Sequence, residues 1–183
     1  MTALDADVDP LLMRRAMGQF ATGVTVITGV DGDGDPVGCT VSAFCSLSLD
    51  PPLVLACIGR GRGVHGPLSE GPGYAVNVLA RSQREIAYAF ARPGHDRFAG
   101  LPVREGRHGI PLIEGALAQI QCDRYSVLDG GDHAIVVGRV RQVDLTEGEP
   151  LLYSQGAFLD VPDRDWERVM ATAPHEWLLS APW

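Results

Sequence analysis

The sequence lacks the features that would place it in a membrane, outside the cell or on a nucleic acid. No stretch approaches the roughly 18 consecutive apolar residues that a membrane-spanning helix requires, and the acidic N-terminus lacks the basic and apolar regions of a signal peptide. Acidic residues outnumber basic ones by 23 to 15, and the net charge of −8 disfavours a nucleic-acid backbone or an anionic membrane as the main partner. We therefore expect a cytoplasmic protein with no nucleic-acid partner and no membrane partner.

Several catalytic motifs are also missing. The four cysteines include no Cys-x-x-Cys pair and lie in apolar, strand-like runs, which predicts buried thiols rather than disulfides or a zinc site. The five histidines show no metal-ligand spacing, and neither a G-x-S-x-G nor an H-E-x-x-H motif occurs. The sequence therefore predicts no metal, no serine hydrolase and no zinc protease.

What the chain does have is enough apolar material for one packed domain. Of its 183 residues, 45% are hydrophobic, which is ample for a core in a domain of this size. All three tryptophans lie in the last segment, after a change in composition. We expect a domain over residues 1–161 and a C-terminal extension over 162–183. The aromatic surface of the extension is expected to pack on the chain's own barrel or on a symmetry mate, in preference to docking on a different protein.

The hydrophobic periodicity predicts a mainly β chain with short helices. Asp9-Pro10 marks the start of one amphipathic helix, and Ser82 with Glu85 forms a capping-box pattern for another. Residues 94–109 are expected to form an irregular loop, and Asp31 to Asp35 a solvated turn within a hairpin. The strand-like runs are 24–28, 40–52, 53–58, 74–79, 116–128 and 133–145.

The run from Thr40 to Pro52 is unusually rich in small hydroxyl side chains. In one extended strand, residues with even numbers point to the same side, which would align Thr40, Ser42, Ser46 and Ser48. A bulge near Phe44 or Cys45 would break this alternation. Such a face could line a ligand cleft, but a half-exposed edge strand with a polar outer face gives the same pattern.

A glycine-rich loop follows the next strand. Gly61 to Gly66 matches G-x-G-x-x-G, but the prolines and glycines after it leave no room for the crossover helix of a dinucleotide-binding fold. Arg60 and Arg62 in this loop could direct guanidinium groups at a phosphate, or the loop could be a solvated basic turn. Together with the hydroxyl-rich strand and His133 at a hairpin, the loop favours a phosphorylated, planar cofactor.

Several segments between residues 13 and 158 resemble one known family, the short-chain flavin reductases of the FMN-binding split-barrel superfamily. The resemblance lies in 17–26, 40–52, 74–79, 96–100, 115–118 with Cys122, 131–133 with 136–138, and 150–153. It implies an antiparallel six-stranded Greek-key split β-barrel with peripheral helices.

The resemblance also implies roles for individual residues. His133 would lie beside the flavin and the incoming nicotinamide as the catalytic residue, and Tyr153 would help shape that face. The remaining cofactor-binding residues fall into two sets, one for the ring and one for the phosphate end. The ring set is Thr40, Val41, Ser42, Ala43 and Ser46, and the phosphate set is Ile58, Arg60, Arg62 and Arg97, with Asn77 on the neighbouring strand.

By resemblance, the expected activity is that of an NAD(P)H-dependent flavin reductase, which passes a hydride from nicotinamide to FMN or FAD and supplies a partner monooxygenase. Relatives of this kind imply a homodimer. Two alternatives remain open at this point. One is an oxidoreductase whose tightly bound flavin acts directly on an organic substrate, and the other is a non-catalytic flavin-binding or haem-binding module.

Overall fold

The computed structural model of the chain describes residues 8–92, 94 and 97–159. The predicted extension over 162–183 lies outside the described residues, so its packing and the boundary at residue 161 stay predictions. Three α-helices occur in the described part: α1 (Pro10–Met17), α2 (His65–Glu70) and α3 (Arg84–Ala91). The strands are β1 (Thr22–Gly23), β2 (Thr25–Val30), β3 (Pro36–Val41), β4 (Phe44–Leu49), β5 (Pro52–Gly59), β6 (Gly73–Val78), β7 (Val103–Glu105), β8 (Pro111–Ile113), β9 (Ala118–Gly130), β10 (His133–Leu145), β11 (Leu152–Ser154) and β12 (Ala157–Leu159).

Seven strands form one antiparallel sheet that closes on itself. Their order is β3-β2-β6-β9-β10-β5-β4, so β3 and β4 stand at opposite edges. Only Ser42 and Ala43 join these two strands, and a link of two residues spans no more than about 10 Å. The two edges must therefore lie side by side, which curls the sheet into a barrel with a seam between β3 and the β4-β5 pair.

This architecture confirms the predicted mainly β, antiparallel split barrel. The main sheet of the described part has seven strands where six were predicted, because the run from Thr40 to Pro52 divides into β3 and β4. The helices lie outside this sheet, and three short strands form a second sheet in the order β1-β11-β12.

The predicted hairpins and the first helix are confirmed. Asp9 caps α1, because its carboxylate oxygen accepts a hydrogen bond of 2.9 Å from the backbone N–H of Leu11. Strands β2 and β3 pair antiparallel across the acidic turn, and β9 pairs with β10 over most of their 13 residues each. None of the described helices exceeds eight residues, so none of them could cross a membrane.

Two local predictions were wrong. The helix α3 begins at Arg84 after a 3-10 turn, and the predicted capping box of Ser82 and Glu85 does not form. Gln83, rather than Glu85, supplies the side-chain oxygen that accepts from an earlier backbone N–H, that of Ala80 at 3.0 Å. The amide nitrogen of Gln83 also donates to the carbonyl of Glu114 at 2.8 Å, which ties the helix start to the chain before β9.

The second correction concerns residues 94–109, which are not wholly irregular. Strand β7 lies within this range and pairs with β8 in a short hairpin. Gly109, with φ of +73°, allows the tight reversal between the two strands.

Candidate functional site

A cavity of about 180 Å³ opens at the seam of the barrel, where the chain crosses from β3 to β4. Since β3 is an edge strand, its backbone groups on the seam side are not paired within the sheet. Seven of the twelve predicted site residues lie together here, along with Cys39, Cys57 and Gly59. Those seven are Thr40, Val41, Ser42, Ala43, Ile58, Arg62 and His133.

The crossover fixes the backbone at the mouth of this cavity. The carbonyl of Ala43 accepts from the N–H of Cys57 at 2.9 Å, and the carbonyl of Ser42 accepts from the N–H of Phe44 at 3.0 Å. The hydroxyl of Thr40 donates to the carbonyl of Ala87 in α3 at 2.7 Å. The cavity is therefore bounded by a braced stretch of backbone, and the Thr40 hydroxyl belongs to the contact with the helix.

The prediction of one continuous hydroxyl face was wrong. The chain leaves β3 after Val41 and begins β4 at Phe44, and a register shift falls between Ser46 and Ser48. Because the direction of the chain changes between the two strands, the alternation that aligned these hydroxyls does not hold across the whole run.

A larger cavity of about 800 Å³ shares the lining residues Cys39 and Arg62 with the first, so the two lie side by side. Arg97 lines it, and its Nη1 donates to the carbonyl of Gly38 at 2.6 Å. Its contact with a phosphate stays a prediction. The Nε of Arg97 is buried and has no hydrogen-bond partner among the described residues. Arg62 donates from Nη1 to the carbonyl of Ala91 at 3.1 Å.

These two guanidinium groups fit the phosphate end of a flavin nucleotide. Each carries five N–H donors, and each uses one of them in a hydrogen bond to a described residue. A buried donor without a partner is costly, and a phosphate oxygen would satisfy the Nε of Arg97. The chain contains no lysine, and all 15 of its Lys and Arg positions are arginines. Apart from histidine, the cationic side chains that could bind a phosphate are therefore planar guanidinium groups, which can donate two parallel hydrogen bonds.

His133 is held by its neighbour at the entrance of the smaller cavity. Its Nδ1 donates to the carboxylate of Asp132 at 2.6 Å, and this hydrogen bond lowers the pKa of Asp132. The other ring nitrogen, Nε2, lies 3.6 Å from where a Cβ on Gly59 would stand. With the proton fixed on Nδ1, Nε2 is directed at the cavity wall. The prediction did not include Asp132, although the adjacent Asp-His pair was visible in the sequence.

The cysteines around the cavity are not nucleophiles. Burial raises the pKa of Cys39 to about 11, although Arg62 and Arg97 act in the opposite direction, and burial also raises the pKa of Cys57. A thiol in such surroundings stays protonated at neutral pH. The four cysteines are free, as predicted, but only Cys39 and Cys122 are buried. Cys45 on the edge strand β4 is exposed and Cys57 is half-buried, so the prediction of buried thiols was wrong for these two.

The described residues also contain no group of three or more His, Cys, Asp or Glu side chains that could hold a metal ion.

Arg60 does not line either cavity. Its guanidinium forms an ion pair with Asp129 at 2.5 Å and donates to the carbonyl of Gly131 at 3.1 Å, so it braces the turn between β9 and β10. Sequence reasoning grouped Arg60 with Arg62, but the loop directs the two side chains to different places.

Asn77 lies in the interior. Its amide nitrogen donates to the carbonyl of Val26 at 3.0 Å and to the Thr28 hydroxyl at 3.1 Å, and its oxygen accepts from the N–H of Ile113 at 2.8 Å. These contacts join β6, β2 and β8 behind the site, and Asn77 lines neither cavity.

The two remaining predicted residues lie apart from the cavities. Ser46 is exposed on β4, and Tyr153 on β11 stacks edge-to-face with Phe158 at 5.6 Å between ring centroids. Any contact of either with a cofactor stays a prediction.

Comparison with known proteins identifies relatives over most of the chain. The family described as "Flavin reductase like domain" matches residues 17–162. The "Probable flavin reductase" of Rhizobium meliloti is 39% identical over 150 residues, which cover 82% of this chain but only 48% of that protein. The chain therefore spans about half the length of that relative.

Other relatives match over more of their length. The "Flavin-dependent monooxygenase, reductase subunit HsaB" of Rhodococcus jostii is 39% identical over 172 residues, which cover 93% of this chain and 84% of that protein. Among solved structures, the Streptomyces globisporus NADH:FAD oxidoreductase SgcE6, described in complex with NAD and FAD fragments, superimposes with a TM-score of 0.80 at 38% identity. That match covers 87% of this chain and 99% of the other.

Proposed function

The chain belongs to the flavin reductase-like domain family, and from this we propose that it is an NAD(P)H-dependent flavin reductase that supplies reduced flavin to a partner monooxygenase. The observation that carries the proposal is the adjacency of two cavities, one at the barrel seam beside His133 and one lined by two arginines, with Cys39 and Arg62 common to both. A flat ring with a phosphorylated tail needs such an arrangement.

Different residues would bind the two ends of the cofactor. Backbone from Thr40 to Ala43 would hold the edge of the ring system, and Arg62 and Arg97 would hold the phosphate. Bound flavin supplies the hydride acceptor, and the protein supplies binding and orientation. Neither role requires a nucleophile, which agrees with the protonated thiols around the cavity.

His133 would orient the nicotinamide and offset negative charge that develops beside it. Its hydrogen bond to Asp132 fixes the ring. In the imidazolium form, Nε2 carries a second N–H, and such a pre-oriented donor stabilises developing charge without reorganising during the reaction. Both side chains are open to solvent, with 47% of His133 and 93% of Asp132 exposed. This exposure leaves room for a second substrate and for a reduced flavin that departs.

The proposed partner is an oxygenase that takes up this departing flavin. The HsaB relative is named as the reductase subunit of a flavin-dependent monooxygenase. An open cavity suits a flavin that is exchanged in each turnover better than one that is retained.

We also infer that the protein is a homodimer. The apolar face of α1 is not covered by any described residue: Met13 and Met17 are 52% and 56% exposed, and none of the residues of α1 is buried. Phe20, three residues after the helix, is 70% exposed. An unpartnered apolar helix face of this kind is typical of a subunit interface.

An anaerobic spectral titration tests the proposed activity. Purified protein is mixed with FMN or FAD and titrated with NADH and then NADPH, while the flavin absorbance is followed. Loss of the oxidised flavin spectrum with at least one nicotinamide, and steady oxidation of that nicotinamide in air with added flavin, are expected. If neither nicotinamide reduces either flavin, the proposal is wrong.

The same preparation distinguishes the two alternatives. A yellow colour that survives dialysis, with poor turnover of added flavin, would indicate a retained prosthetic group that acts on another substrate. Bound flavin that stays oxidised would indicate a non-catalytic binding module.

A further inference from the structure

Apolar side chains lie exposed where the described part of the chain ends. Tyr153 and Phe158 face each other on the paired strands β11 and β12, and Tyr88 on α3 also stacks edge-to-face with Phe158, at 4.9 Å between ring centroids. Tyr88, Tyr153 and Leu159 are 43%, 37% and 40% exposed, and Phe158 is half-buried. We call these four residues the aromatic patch.

Two arginines border the aromatic patch. The guanidinium of Arg84 lies over the ring of Phe158 at 5.7 Å, and that of Arg92 lies over the ring of Tyr88 at 5.9 Å. Aromatic rings pack on the edges and faces of other rings, and tryptophan is the ring that binds best to a guanidinium group. The patch and its border therefore suit an aromatic side chain, and tryptophan in particular.

The chain itself supplies tryptophan directly after this patch. Residues 160–183 follow Leu159, and all three tryptophans of the chain lie among them. Trp166 is seven positions beyond Leu159, so at most about 25 Å of extended chain separates the two residues. A short tether of this kind holds its end near the patch at a local concentration in about the millimolar range. This reach favours the same chain over a different protein as the occupant.

The sequence of this segment also complements the patch. Four apolar residues recur there at the spacing of one helix face: Trp166, Val169, Met170 and Ala173. Three of the five residues from 163 to 167 are acidic or lie beside this indole as carboxylates, namely Asp163, Asp165 and Glu167. Carboxylates beside the indole match the two arginines that border the patch.

We propose that residues 162–183 fold back onto the aromatic patch of their own chain, with the indole of Trp166 packed against Tyr88 and Phe158. Burial of one large apolar side chain favours the docked form by roughly tenfold to a hundredfold. None of these residues lines the cavity at the barrel seam. The proposal is therefore independent of the proposed function.

Tryptophan fluorescence tests this contact, because every tryptophan of the chain lies in the segment. With Trp177→Phe and Trp183→Phe, Trp166 is the only emitter, and flavin-free protein avoids quenching by the cofactor. The native protein should emit at shorter wavelength than the same protein in urea. Since the docked form predominates by roughly tenfold or more, acrylamide should quench the native emission at least about threefold less.

Variants of the patch locate the contact. Tyr88→Glu puts a carboxylate into the patch and Tyr88→Ala removes the ring, so both should shift the emission to longer wavelength and raise acrylamide quenching about twofold or more. Tyr125→Glu is the matched control, because Tyr125 is an exposed tyrosine on β9 outside the patch, and it should change neither quantity. Circular dichroism checks that each variant keeps its strands.

A mixing experiment identifies the chain whose patch is covered. The Tyr88→Glu protein with Trp166 as its only tryptophan is refolded from urea with an excess of a second protein. The second protein keeps Tyr88 and carries Trp166→Glu, Trp177→Phe and Trp183→Phe, so its patch is vacant and it does not emit as tryptophan. Because the segment docks on its own chain, the emission should stay at long wavelength.

Three results would overturn the proposal. The native protein could emit as it does in urea, which would show that Trp166 is not docked. The Tyr88 variants could match Tyr125→Glu, which would place Trp166 on another surface. A return to shorter wavelength in the mixture would place the segment on a second copy. Flavin reduction is assayed separately on the wild type, so its absence would refute the proposed function and leave this proposal standing.

Discussion

Two arginines separated by one glycine have different tasks in this protein. Arg60 is engaged with Asp129 and Gly131, whereas Arg62 lies where the two cavities meet. We therefore predict that Arg62→Ala weakens flavin binding by roughly tenfold or more, because a hydrogen bond to a charged group contributes about 1.5–3 kcal/mol. The dissociation constant from flavin fluorescence measures this.

Arg60→Ala is the matched control for that prediction. Because the ion pair with Asp129 is exposed, its loss should cost at most about 1 kcal/mol of stability and leave flavin affinity within about twofold. Equal loss of affinity in both variants would contradict the assignment of the phosphate to Arg62.

The cysteines give a second prediction at this scale. Cys45 is exposed, whereas Cys39 and Cys122 are buried and burial raises their pKa values to about 11 and about 12. The reactive species is the thiolate, so iodoacetamide at pH 8 should label Cys45 first and leave Cys39 and Cys122 unlabelled until the protein unfolds. Mass spectrometry of peptides after timed labelling checks the order, and early labelling of Cys39 would contradict it.

Single residues also mark the limit of what the sequence predicts. His133, Arg62 and the segment from Thr40 to Ala43 were predicted and lie together at the seam. Arg60 was misplaced because its partner is 69 positions away, and such a pairing leaves no local pattern. For the same reason, the interior hydrogen bonds of Asn77 could not be read from its own strand.

At the scale of elements, strands were easier to predict than their pairing. The two longest strands were found within two residues, because their hydrophobic runs are long and flank a strong turn. The division of the run from Thr40 to Pro52 was missed, because β3 and β4 find different partners, β2 and β5, on opposite edges of the sheet. The alternation of polar and apolar residues along a run does not indicate which distant strands its two halves will pair with.

The close contact between β10 and β6 gives a prediction for Gly138. A Cβ on this residue would lie 2.5 Å from the hydroxyl oxygen of the buried Tyr74 and 2.7 Å from the Cβ of Cys122. Overpacking of this kind costs about 1–3 kcal/mol, so Gly138→Ala should lower the melting temperature by roughly 2–10 °C. Differential scanning calorimetry measures the change.

Gly61→Ala serves as the comparison for Gly138→Ala. A Cβ on Gly61 would meet nothing within 4 Å, so its melting temperature should equal that of the wild type within about 1–2 °C. A stable Gly138→Ala variant would show that Tyr74 can move aside.

On the scale of the whole molecule, the β7-β8 hairpin is fastened to the barrel through Asp123. This carboxylate accepts hydrogen bonds from His108 at 3.0 Å, from Arg141 at 2.6 Å and from Arg107 at 3.1 Å, and together they lower its pKa to about 2. A pKa below that of the unfolded chain contributes stability at neutral pH, and this contribution is lost as the pH falls.

Asp123→Asn should therefore make the free energy of unfolding less dependent on pH in the acid range. The wild type is expected to lose stability between about pH 4 and pH 2, the interval between the ordinary and the lowered pKa, and the variant should be less stable at pH 7 but lose less across this interval. Urea denaturation at each pH gives the free energy of unfolding. An identical pH dependence in wild type and variant would show that Asp123 does not carry this linkage.

The assembly of the molecule leads to the final prediction, which concerns α1. The spacing of Met13, Ala16, Met17 and Phe20 predicts an amphipathic helix. The structure confirms the helix as far as Met17, places Phe20 beyond it, and leaves the apolar side chains Met13, Met17 and Phe20 exposed. If a second copy covers that face, Met13→Glu together with Met17→Glu would bury two unpaired charges in the interface, at a cost of several kcal/mol. The wild type should then have twice the mass of one chain at micromolar concentration, and the double variant the mass of a single chain.

Arg15→Glu also changes the charge of α1, but outside this apolar set, so it separates an interface effect from a general charge effect. Multi-angle light scattering gives the mass of each protein, and circular dichroism confirms that the double variant keeps its strands. Because no residue of α1 is buried, the two glutamates should leave the fold of the barrel intact. A wild type that is monomeric, or a double variant that remains dimeric, would place the interface elsewhere or exclude the dimer.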